Sequence, residues 1–365
     1  MDRMKIAIDV RKIEDFGIGT HIWNMLKSLS KIDRENEYFL IGFSPSSLPP
    51  LGKNFNFVRT KAKKYSISEH IKIPILLREI KCDIFHSPHY VVPFFYKGLT
   101  TATIHDVIHL LFPSYLPLKI LRYYAYFQIM RTLKVSKIAF TVSFSSKKDI
   151  IRFFPWAEKK IEVIYNGVDE RFFERAKAEI CEKYKKELGN YILYVGNIKP
   201  HKNIGILLKG IRKLKGVKLV IAGSSPDNNI LERIEREGLE GKVVFMGFLP
   251  FEELSALYES SQVFVFPSFY EGFGLPPLEA MAKGVPVVSS SAPSMPEILK
   301  NGAVYFDPDS EDSLIEAIVS VMENKDLRER ITMEGRNVAQ SYKWSDSATK
   351  ILNCWRIINE SCPRS

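Results

Sequence analysis

The feature that most constrains the fold of this 365-residue chain is the alternation of short β-rich runs with amphipathic helical stretches. The alternation is clearest in the second half, where residues 191–195 precede a helical pattern at 204–214 and residues 217–222 precede one at 229–237. Such alternation is typical of parallel sheets whose strands are joined by crossover helices. The sequence therefore predicts an α/β fold.

The remaining pattern predicts two such sheets, because the chain is longer than one hydrophobic core usually supports. Further strands are predicted at 5–10, 38–43, 83–87, 101–105, 137–142, 161–165, 242–246, 262–266 and 285–289, and further helices at 20–29, 145–154, 251–260 and 277–283. Asn166-Gly167 and the charged segment after it predict a linker. We expect two doubly wound domains with a cleft between them, and ligands at the carboxyl ends of the strands.

The composition is that of a globular protein, with 45% apolar and 26% charged residues. The first ten residues lack the apolar core of a signal peptide, and no apolar run is long enough to span a bilayer. Cys82, Cys181, Cys354 and Cys362 are far apart and predict reduced thiols. These features predict a cytoplasmic protein, with the inner face of the membrane as a place where it acts.

The net charge of +10 is unevenly distributed. Residues 1–165 hold 26 Lys and Arg against 14 Asp and Glu, whereas the remaining 200 residues hold 26 against 28. Residues 112–148 combine aromatic and basic side chains without any acidic residue, the basic ones being Lys119, Arg122, Arg131, Lys134, Lys137, Lys147 and Lys148. This pattern suits an anionic membrane surface or an anionic acceptor, and a solvated lysine-rich surface has the same pattern. No recognition motif for nucleic acid accompanies the charge.

The segment 266–282, FPSFYEGFGLPPLEAMA, carries the strongest chemical signal. A strand ends near Pro267, a loop with two glycines follows, and Pro277 suits the first turn of a helix. Gly272 and Gly274 allow a close backbone approach, and the amides of Phe273, Gly274 and Leu275 are predicted to form an anion site at the helix N-terminus. Carboxylates repel a diphosphate, so Glu271 on the loop and Glu279, predicted in the first helical turn, suit sugar hydroxyls.

This segment resembles the E-x7-E signature of the retaining GT-B glycosyltransferases often called family 4. The flanking residues 282–288 and Pro296-Glu297 resemble that family too. The resemblance implies that Glu271 contacts the transferred sugar, that Glu279 holds the nucleotide ribose, and that the amides of Phe273 and Gly274 approach the sugar and the diphosphate.

A second constellation follows the strand predicted at 191–195, where a basic loop precedes a helix. Lys202 in this loop suits a diphosphate, and it resembles the family's phosphate-binding lysine. Many relatives have Arg at the position of Asn197, and others have Arg at the position of His201. This chain has neither arginine, so the resemblance leaves the phosphate charge to Lys202, with His201 as a further candidate.

Two constellations lie in the first half of the chain. Gly17 and Gly19 form only part of a dinucleotide fingerprint, which also fits a tight turn, but they resemble the family's first loop, whose small residues approach the donor phosphates. His105 follows a predicted strand and resembles the family's cleft histidine, which touches the donor sugar. A lone histidine at such a place also fits a structural role.

The resemblance implies a GT-B fold: two Rossmann-like domains facing a central cleft. Residues 1–168 would bind the acceptor, residues 169–342 would bind the nucleotide sugar, and residues 343–365 would form a C-terminal helix that packs back on the first domain. No metal or other cofactor is expected, because Lys202 and helix amides replace it. Asp307-Pro308-Asp309 fits a turn before a helix better than a metal site.

The activity implied is a retaining transfer of a hexose, with mannose from GDP-mannose as the favoured donor, to a glycan or lipid-linked acceptor in polysaccharide or lipopolysaccharide assembly. Two other hypotheses remain open at this point. One is a catalytically silent sugar-nucleotide-binding protein on the same scaffold, which the missing arginines allow. The other is a GT-B sugar-nucleotide epimerase.

Overall fold

The chain divides into two compact units, which are Met1–Gly167 with Lys343–Ser365 and, second, Val168–Tyr342. The computed structural model describes residues 3–115, 118 and 120–361. Lys119 of the basic segment and Cys362 lie outside the described residues. Among the helices that are described, none is long and apolar enough to cross a membrane.

The described part of the first unit contains one parallel sheet of seven strands, in the order β3-β2-β1-β4-β5-β6-β7. Its strands are β1 (Lys5–Asp9), β2 (Glu37–Gly42), β3 (Phe55–Arg59), β4 (Ile84–Ser87), β5 (Thr100–Thr103), β6 (Ile138–Thr141) and β7 (Ile161–Val163). Its helices are α1 (Phe16–Ile32), α2 (Ile67–Ile80), α3 (Ile108–Leu111), α4 (Ile120–Val135), α5 (Phe144–Phe153) and α14 (Trp344–Glu360), numbered by their order along the whole chain. Short apolar strands buried on both faces explain why their sequences read as continuous β-rich runs.

The last helix belongs to the core of the first unit. Helix α14 lies against α1, and its residues Ile351 and Trp355 join the buried cluster that includes Ile6 and Ile8 of β1. Trp355 is fully buried, and its indole Nε1 donates to the hydroxyl Oγ1 of Thr101 over 3.0 Å. The first unit is therefore closed by residues from both ends of the chain.

The second unit has the same architecture, with six parallel strands in the order β10-β9-β8-β11-β12-β13 within its described residues. The strands are β8 (Tyr191–Gly196), β9 (Lys218–Gly223), β10 (Val243–Gly247), β11 (Val263–Phe266), β12 (Val287–Ser290) and β13 (Ala303–Phe306). The helices are α6 (Ala178–Leu188), α7 (Ile204–Lys213), α8 (Asn228–Arg236), α9 (Phe251–Glu259), α10 (Leu275–Ala282), α11 (Met295–Leu299), α12 (Glu311–Glu323) and α13 (Lys325–Gln340). Two doubly wound units confirm the predicted fold class.

Two predicted helix starts are wrong, and both errors fall on candidate site residues. Helix α1 begins at Phe16, so Gly17 and Gly19 lie in its first turn and not in a loop. Helix α10 begins at Leu275, two residues before the predicted start, and Glu279 consequently lies in its second turn. Both prolines of α10 fit its first turn because the backbone N–H groups there need no helical partner.

Candidate functional site

The candidate site lies at the point where the winding of the second sheet changes direction. Strand β8 pairs with β9 on one side and with β11 on the other, so the loops after β8 and β11 leave the sheet at adjacent positions. In open parallel sheets, ligands bind in the crevice at this topological switch point. The loop after β8 carries Lys202, and the loop after β11 carries Glu271.

Lys202 and Glu271 form an ion pair across this switch point. The ammonium Nζ of Lys202 lies 2.6 Å from Oε1 of Glu271, and the two side chains are 14% and 11% exposed. The loops are also joined through the backbone, because the amide of Phe269 donates to the carbonyl oxygen of His201 over 2.8 Å. The loops that carry the two strongest sequence motifs are therefore in direct contact.

Several bonds fix the loop after β11. The hydroxyl of Ser294 donates to the carbonyl oxygen of Glu271 over 2.8 Å, and that of Ser290 donates to the carbonyl oxygen of Ser268 over 2.5 Å. Gly274 has a φ of +86°, and a Cβ there would lie 2.6 Å from Cε of Met295. The positive φ favours glycine at this position, whereas the terminal methyl group of Met295 could shift to make room for a Cβ.

The start of α10 offers backbone donors to an anion. Gly274 caps the helix without a side-chain bond, and Pro276 and Pro277 have no N–H. The amides of Gly274 and Leu275 are therefore the donors that have no partner within the helix. The side chain of Phe273 is buried against the ring of Tyr342, with ring centroids 5.6 Å apart, so Phe273 faces a ligand only through its backbone.

The loop after β8 is held by its own asparagines. The carbonyl oxygen of Asn197 accepts from the Tyr194 hydroxyl over 2.8 Å, and its Oδ1 accepts from the amide of Lys199 over 3.4 Å. Asn203 adopts a left-handed conformation with φ of +53°, and its Nδ2 donates to the carbonyl oxygen of Pro308 over 2.8 Å. These bonds hold the turn in which His201 and Lys202 lie.

Glu279 lies apart from that ion pair and contacts helix α9. Its Oε2 accepts from the hydroxyl of Tyr258 over 2.9 Å. Burial raises the pKa of Glu279 to about 7, although the bond from Tyr258 acts in the opposite direction. The carboxyl group is therefore close to half ionised at neutral pH, and a ligand that donates a hydrogen bond to it favours the ionised form. No local spacing in the sequence identifies Tyr258 as its partner.

The remaining predicted residues lie in the first unit. His105 follows β5, and its Nε2 donates to the carbonyl oxygen of Pro88 over 3.0 Å. Burial lowers the pKa of His105 to about 4, so the ring is neutral at physiological pH. Gly19 packs so closely that a Cβ would lie 2.2 Å from the carbonyl oxygen of Ile13, whereas Gly17 borders open space. Gly19 thus has a packing role, and Gly17 leaves the start of α1 accessible.

An open cavity lies elsewhere in the second unit, next to Lys283, Pro286 and Arg336. Pro286 directly precedes β12, so this cavity is at the amino edge of the sheet, opposite the switch-point loops. Lys283 is already bonded there to the carbonyl oxygen of Glu174. We therefore place the site at Lys202 and Glu271.

Among the described residues, no group of three or more His, Cys, Asp or Glu side chains is arranged to hold a metal ion.

Comparison with known proteins gives consistent matches over most of the chain. The model of the glycosyl transferases group 1 matches residues 176–338, and that of glycosyltransferase family 4 matches residues 17–172. The O-antigen chain mannosyltransferase B of Escherichia coli is 32% identical over 292 residues, which are 77% of this chain and 76% of that protein. The O-antigen chain mannosyltransferase RfbU of Salmonella typhimurium is 32% identical over 269 residues, 73% of this chain and 72% of that protein.

Solved structures also resemble this chain in fold. The sucrose-phosphate synthase of Thermosynechococcus elongatus superimposes with a TM-score of 0.83 at 16% identity, covering 99% of this chain and 100% of that one. At this identity the likeness concerns the fold alone, and it confirms the expected GT-B architecture.

Proposed function

Because the chain belongs to the family 4 glycosyltransferases, we propose that it moves mannose from GDP-mannose, with retention and without a metal ion, to a glycan or lipid-linked acceptor of O-antigen or lipopolysaccharide assembly. The observation that carries this proposal is the Lys202–Glu271 pair at the switch point of the second sheet, 2.6 Å apart. It combines a cation for a diphosphate with a carboxylate for sugar hydroxyls in one place. The names of the two O-antigen mannosyltransferases support mannose as the sugar.

The leaving diphosphate is the group that needs most stabilisation when a glycosyl donor reacts. A lysine ammonium has three donor positions, so Lys202 is able to keep its bond to Glu271 and also to contact a phosphate oxygen. The amides of Gly274 and Leu275 at the start of α10 add two fixed donors. These groups would bind the phosphate oxygens in place of the arginine that the family resemblance leads us to expect at the position of Asn197 or at that of His201.

The sugar ring is oriented by hydrogen bonds to its hydroxyls. Glu271 accepts from them, since its second carboxylate oxygen is not the atom that contacts Lys202. We assign His105 to the sugar as well, in its neutral form. Glu279 accepts from the ribose hydroxyls of the nucleotide as a carboxylate. A phosphate oxygen of the donor then takes the proton of the acceptor hydroxyl, which attacks from the same face that the diphosphate leaves.

A screen of sugar nucleotides by thermal stabilisation tests the donor. Ligand binding raises the melting temperature by mass action, so GDP-mannose is expected to stabilise the protein more than UDP-glucose, UDP-galactose or UDP-N-acetylglucosamine. A larger shift with any UDP-sugar would overturn the GDP-mannose assignment. Retention is tested by the configuration of the transfer product. NMR of its anomeric proton should show an α-configured linkage.

The same reactions distinguish the proposed transferase from the two alternative hypotheses, a silent sugar-nucleotide-binding protein and a sugar-nucleotide epimerase. A silent binding protein would be stabilised by the nucleotide sugar but would release no GDP, with or without acceptor. An epimerase would change the configuration of the donor sugar and form no glycosidic product. Retained activity after dialysis against a metal chelator is expected if Lys202 and the helix amides replace a metal ion.

We also propose that the first unit binds an anionic membrane surface, which would place the enzyme at the inner face of the membrane. Helix α4 presents Ile120, Tyr123 and Phe127 on one stripe, with exposed fractions of 67%, 69% and 46%. Phe127 stacks on Phe94, whose ring also lies under the guanidinium of Arg131. Exposed aromatic and aliphatic side chains beside cations are typical of interfacial helices.

Helix α2 extends this surface beyond residues 112–148. Ile67, Ile71 and Ile75 recur every four residues and are all exposed. Arg78 on the same helix donates to the carbonyl oxygen of Phe95, whose ring is exposed too. The surface formed by these stripes of α2 and α4 and by Phe95 is called the α2–α4 face below.

A further inference from the structure

The open cavity at the amino edge of the second sheet, called the amino-edge cavity below, lies away from the residues assigned to glycosyl transfer. Its volume is about 630 Å³, which is within the range of small-molecule binding sites. Its walls come from the last residues of α9 and α10, from the turn at Phe172 and Phe173, and from one side of α13. All lining residues belong to the second unit, so the cavity exists within one compact body.

Lys283 is a charged residue buried in the wall of the amino-edge cavity. Its side chain is only 1% exposed, and its ammonium Nζ lies 3.5 Å from Oε2 of Glu259. The same ammonium donates to the carbonyl oxygen of Glu174. Burial lowers the pKa of Lys283, although the charge of Glu259 acts in the opposite direction. An anion in the cavity would stabilise the ammonium form that burial disfavours.

Cations exceed carboxylates in the lining of this cavity. The cations are Arg175, Lys283, Arg328 and Arg336, and the carboxylates are Glu174, Glu259 and Glu329. Glu259 is the carboxylate beside Lys283, as described above. Glu329 lies 3.6 Å from Lys325, which is not a lining residue. Only Glu174 then remains to balance three guanidinium groups, so the cavity has a surplus of positive charge.

The three guanidinium groups retain hydrogen-bond donors for a ligand. Arg175 and Arg336 are exposed, and neither forms an ion pair with any residue that the structure describes. Arg328 donates from Nη1 to the carbonyl oxygen of Met322 over 2.8 Å, and its Nε and Nη2 groups remain available. A guanidinium presents its N–H groups as a planar fork that matches two oxygens of a phosphate. The cavity therefore suits an anion with several oxygen atoms.

The lining also contains large apolar side chains, which are those of Phe172, Phe173, Pro286 and Met333. Met333 is 63% exposed and lies on the same helix as Arg336, three residues before it. Small-molecule sites commonly combine an apolar wall with a few charged groups that fix the orientation of the ligand. This combination favours a ligand that carries an apolar ring together with its anionic group.

We propose that the amino-edge cavity binds an organic phosphate monoester, with the phosphate against the three guanidinium groups and the apolar part against Phe173 and Met333. A phosphate monoester carries close to two negative charges at neutral pH, which the surplus of positive charge in the cavity balances. The site lies at the edge of the sheet opposite the switch-point loops, so it is separate from the donor site. It does not rest on the proposed glycosyl transfer.

Calorimetric titration of the full-length protein with phenyl phosphate tests the site. Arg175→Met and Arg336→Met should each weaken binding by about tenfold, because each removes charge-assisted hydrogen bonds. Glu329→Gln should strengthen binding, since it removes a carboxylate from the lining. Arg330→Met removes an exposed arginine of α13 that does not line the cavity, and it should leave binding unchanged. Benzoate and inorganic phosphate should both bind more weakly than phenyl phosphate.

Two controls separate this cavity from the donor site. Lys202→Met should weaken GDP binding but leave phenyl phosphate binding largely unchanged, and circular dichroism shows whether each variant is folded. No binding of phenyl phosphate, unchanged binding in both folded arginine variants, loss of binding in Lys202→Met alone, or tighter binding of benzoate would each overturn the proposal. If phenyl phosphate binding follows the arginine variants but no sugar nucleotide is used, the site stands and the proposed glycosyl transfer fails.

Discussion

At the scale of single residues, Lys202 and Glu271 are both predictable as candidate binding-site residues, but their ion pair is not. They are 69 residues apart in the chain, and only the order of strands in the sheet brings their loops together. Similarly, Glu279 is predictable from its motif, but the bond from Tyr258 and the raised pKa depend on burial that no local spacing reveals.

The first prediction separates the roles of the paired residues. Lys202→Met removes a charge-assisted bond to the diphosphate, worth about 1.5–3 kcal/mol, and should weaken GDP binding by about tenfold to a hundredfold. Glu271→Gln should leave GDP binding within about threefold, because GDP has no transferred sugar, but should strongly reduce glycosyl transfer. Calorimetry and product assays measure the two effects. Equal losses of GDP affinity in both variants would contradict the assignment.

The second prediction concerns the pH dependence of nucleotide binding. The pKa of Glu279 is raised to about 7 in the folded protein, so the carboxylate that accepts from the ribose is lost as the pH falls through 7. GDP affinity should therefore fall about tenfold between about pH 8 and pH 6. In Glu279→Gln, only the titration of the nucleotide itself should remain. If GDP affinity depends on pH in the same way in the unmodified protein and in Glu279→Gln, Glu279 does not bind the ribose.

The same raised pKa has the opposite effect on folding. In the unfolded chain Glu279 has an ordinary pKa near 4.5, so between about pH 4.5 and 7 the folded protein binds more protons. The contribution of Glu279 to stability is thus complete below that range and is lost as the pH rises through 7. Nucleotide binding and stability therefore depend on this carboxyl group in opposite directions.

At the scale of elements, the strands and helices with strong periodicity are predictable, and the boundaries near prolines and glycines are less so. The predicted start of α10 is two residues too late because Pro277 suits the first helical position, whereas Pro276 and Pro277 both fit the first turn. Strand β3 gives little signal because it lies at the sheet edge, and its residues are half-buried or exposed without a regular alternation. The spacing of Ile67, Ile71 and Ile75 on α2 can be read from the sequence, but only the structure shows that these side chains are exposed.

The third prediction tests the α2–α4 face as a membrane surface. Ile120→Gln with Tyr123→Gln should reduce sedimentation with phosphatidylglycerol vesicles, because two exposed apolar side chains are lost from the interface. Lys134→Glu with Lys137→Glu should reduce it by tenfold or more, since each cation near an anionic surface contributes about 1 kcal/mol.

Two comparisons complete that test. Leu231→Gln, which changes an exposed apolar residue of the second unit, should have no effect. Vesicles of phosphatidylcholine alone should bind the unmodified protein weakly, and salt should weaken binding to the anionic vesicles. If neither double variant changes sedimentation, the α2–α4 face is a solvated surface and not a membrane contact.

At the scale of the whole molecule, length and alternation predict two α/β domains, and the sheet orders confirm that class. The membership of α14 in the first unit is less predictable, because α14 is more than 170 residues away from the strands it covers. Its amphipathic pattern shows that one face is buried but not against which sheet. Only the resemblance to a family indicates that α14 packs on the first domain.

The fourth prediction uses the buried indole of α14. Trp355→Ala should destabilise the first unit by about 3–5 kcal/mol, because it leaves a cavity and removes the hydrogen bond from the indole to the Thr101 hydroxyl. All four tryptophans, at positions 23, 156, 344 and 355, lie in that unit, so the fluorescence of the other three reports its unfolding. Denaturant titration measures the change, with Trp355→Phe as the milder variant. A fluorescence midpoint that does not move would show that α14 contributes little.

The second unit begins at Val168 and ends at Tyr342, and the amide of Val168 donates to the carbonyl oxygen of Tyr342 over 3.0 Å. The two ends of this unit are therefore neighbours, as in a domain inserted into a host through a single attachment point. Chimeras become practical at this junction: residues 168–342 of a relative with another donor can replace those of this chain without changing the path of the first unit. Under the proposed assignment of the donor to the second unit and the acceptor to the first, donor choice and acceptor choice would then be separately exchangeable.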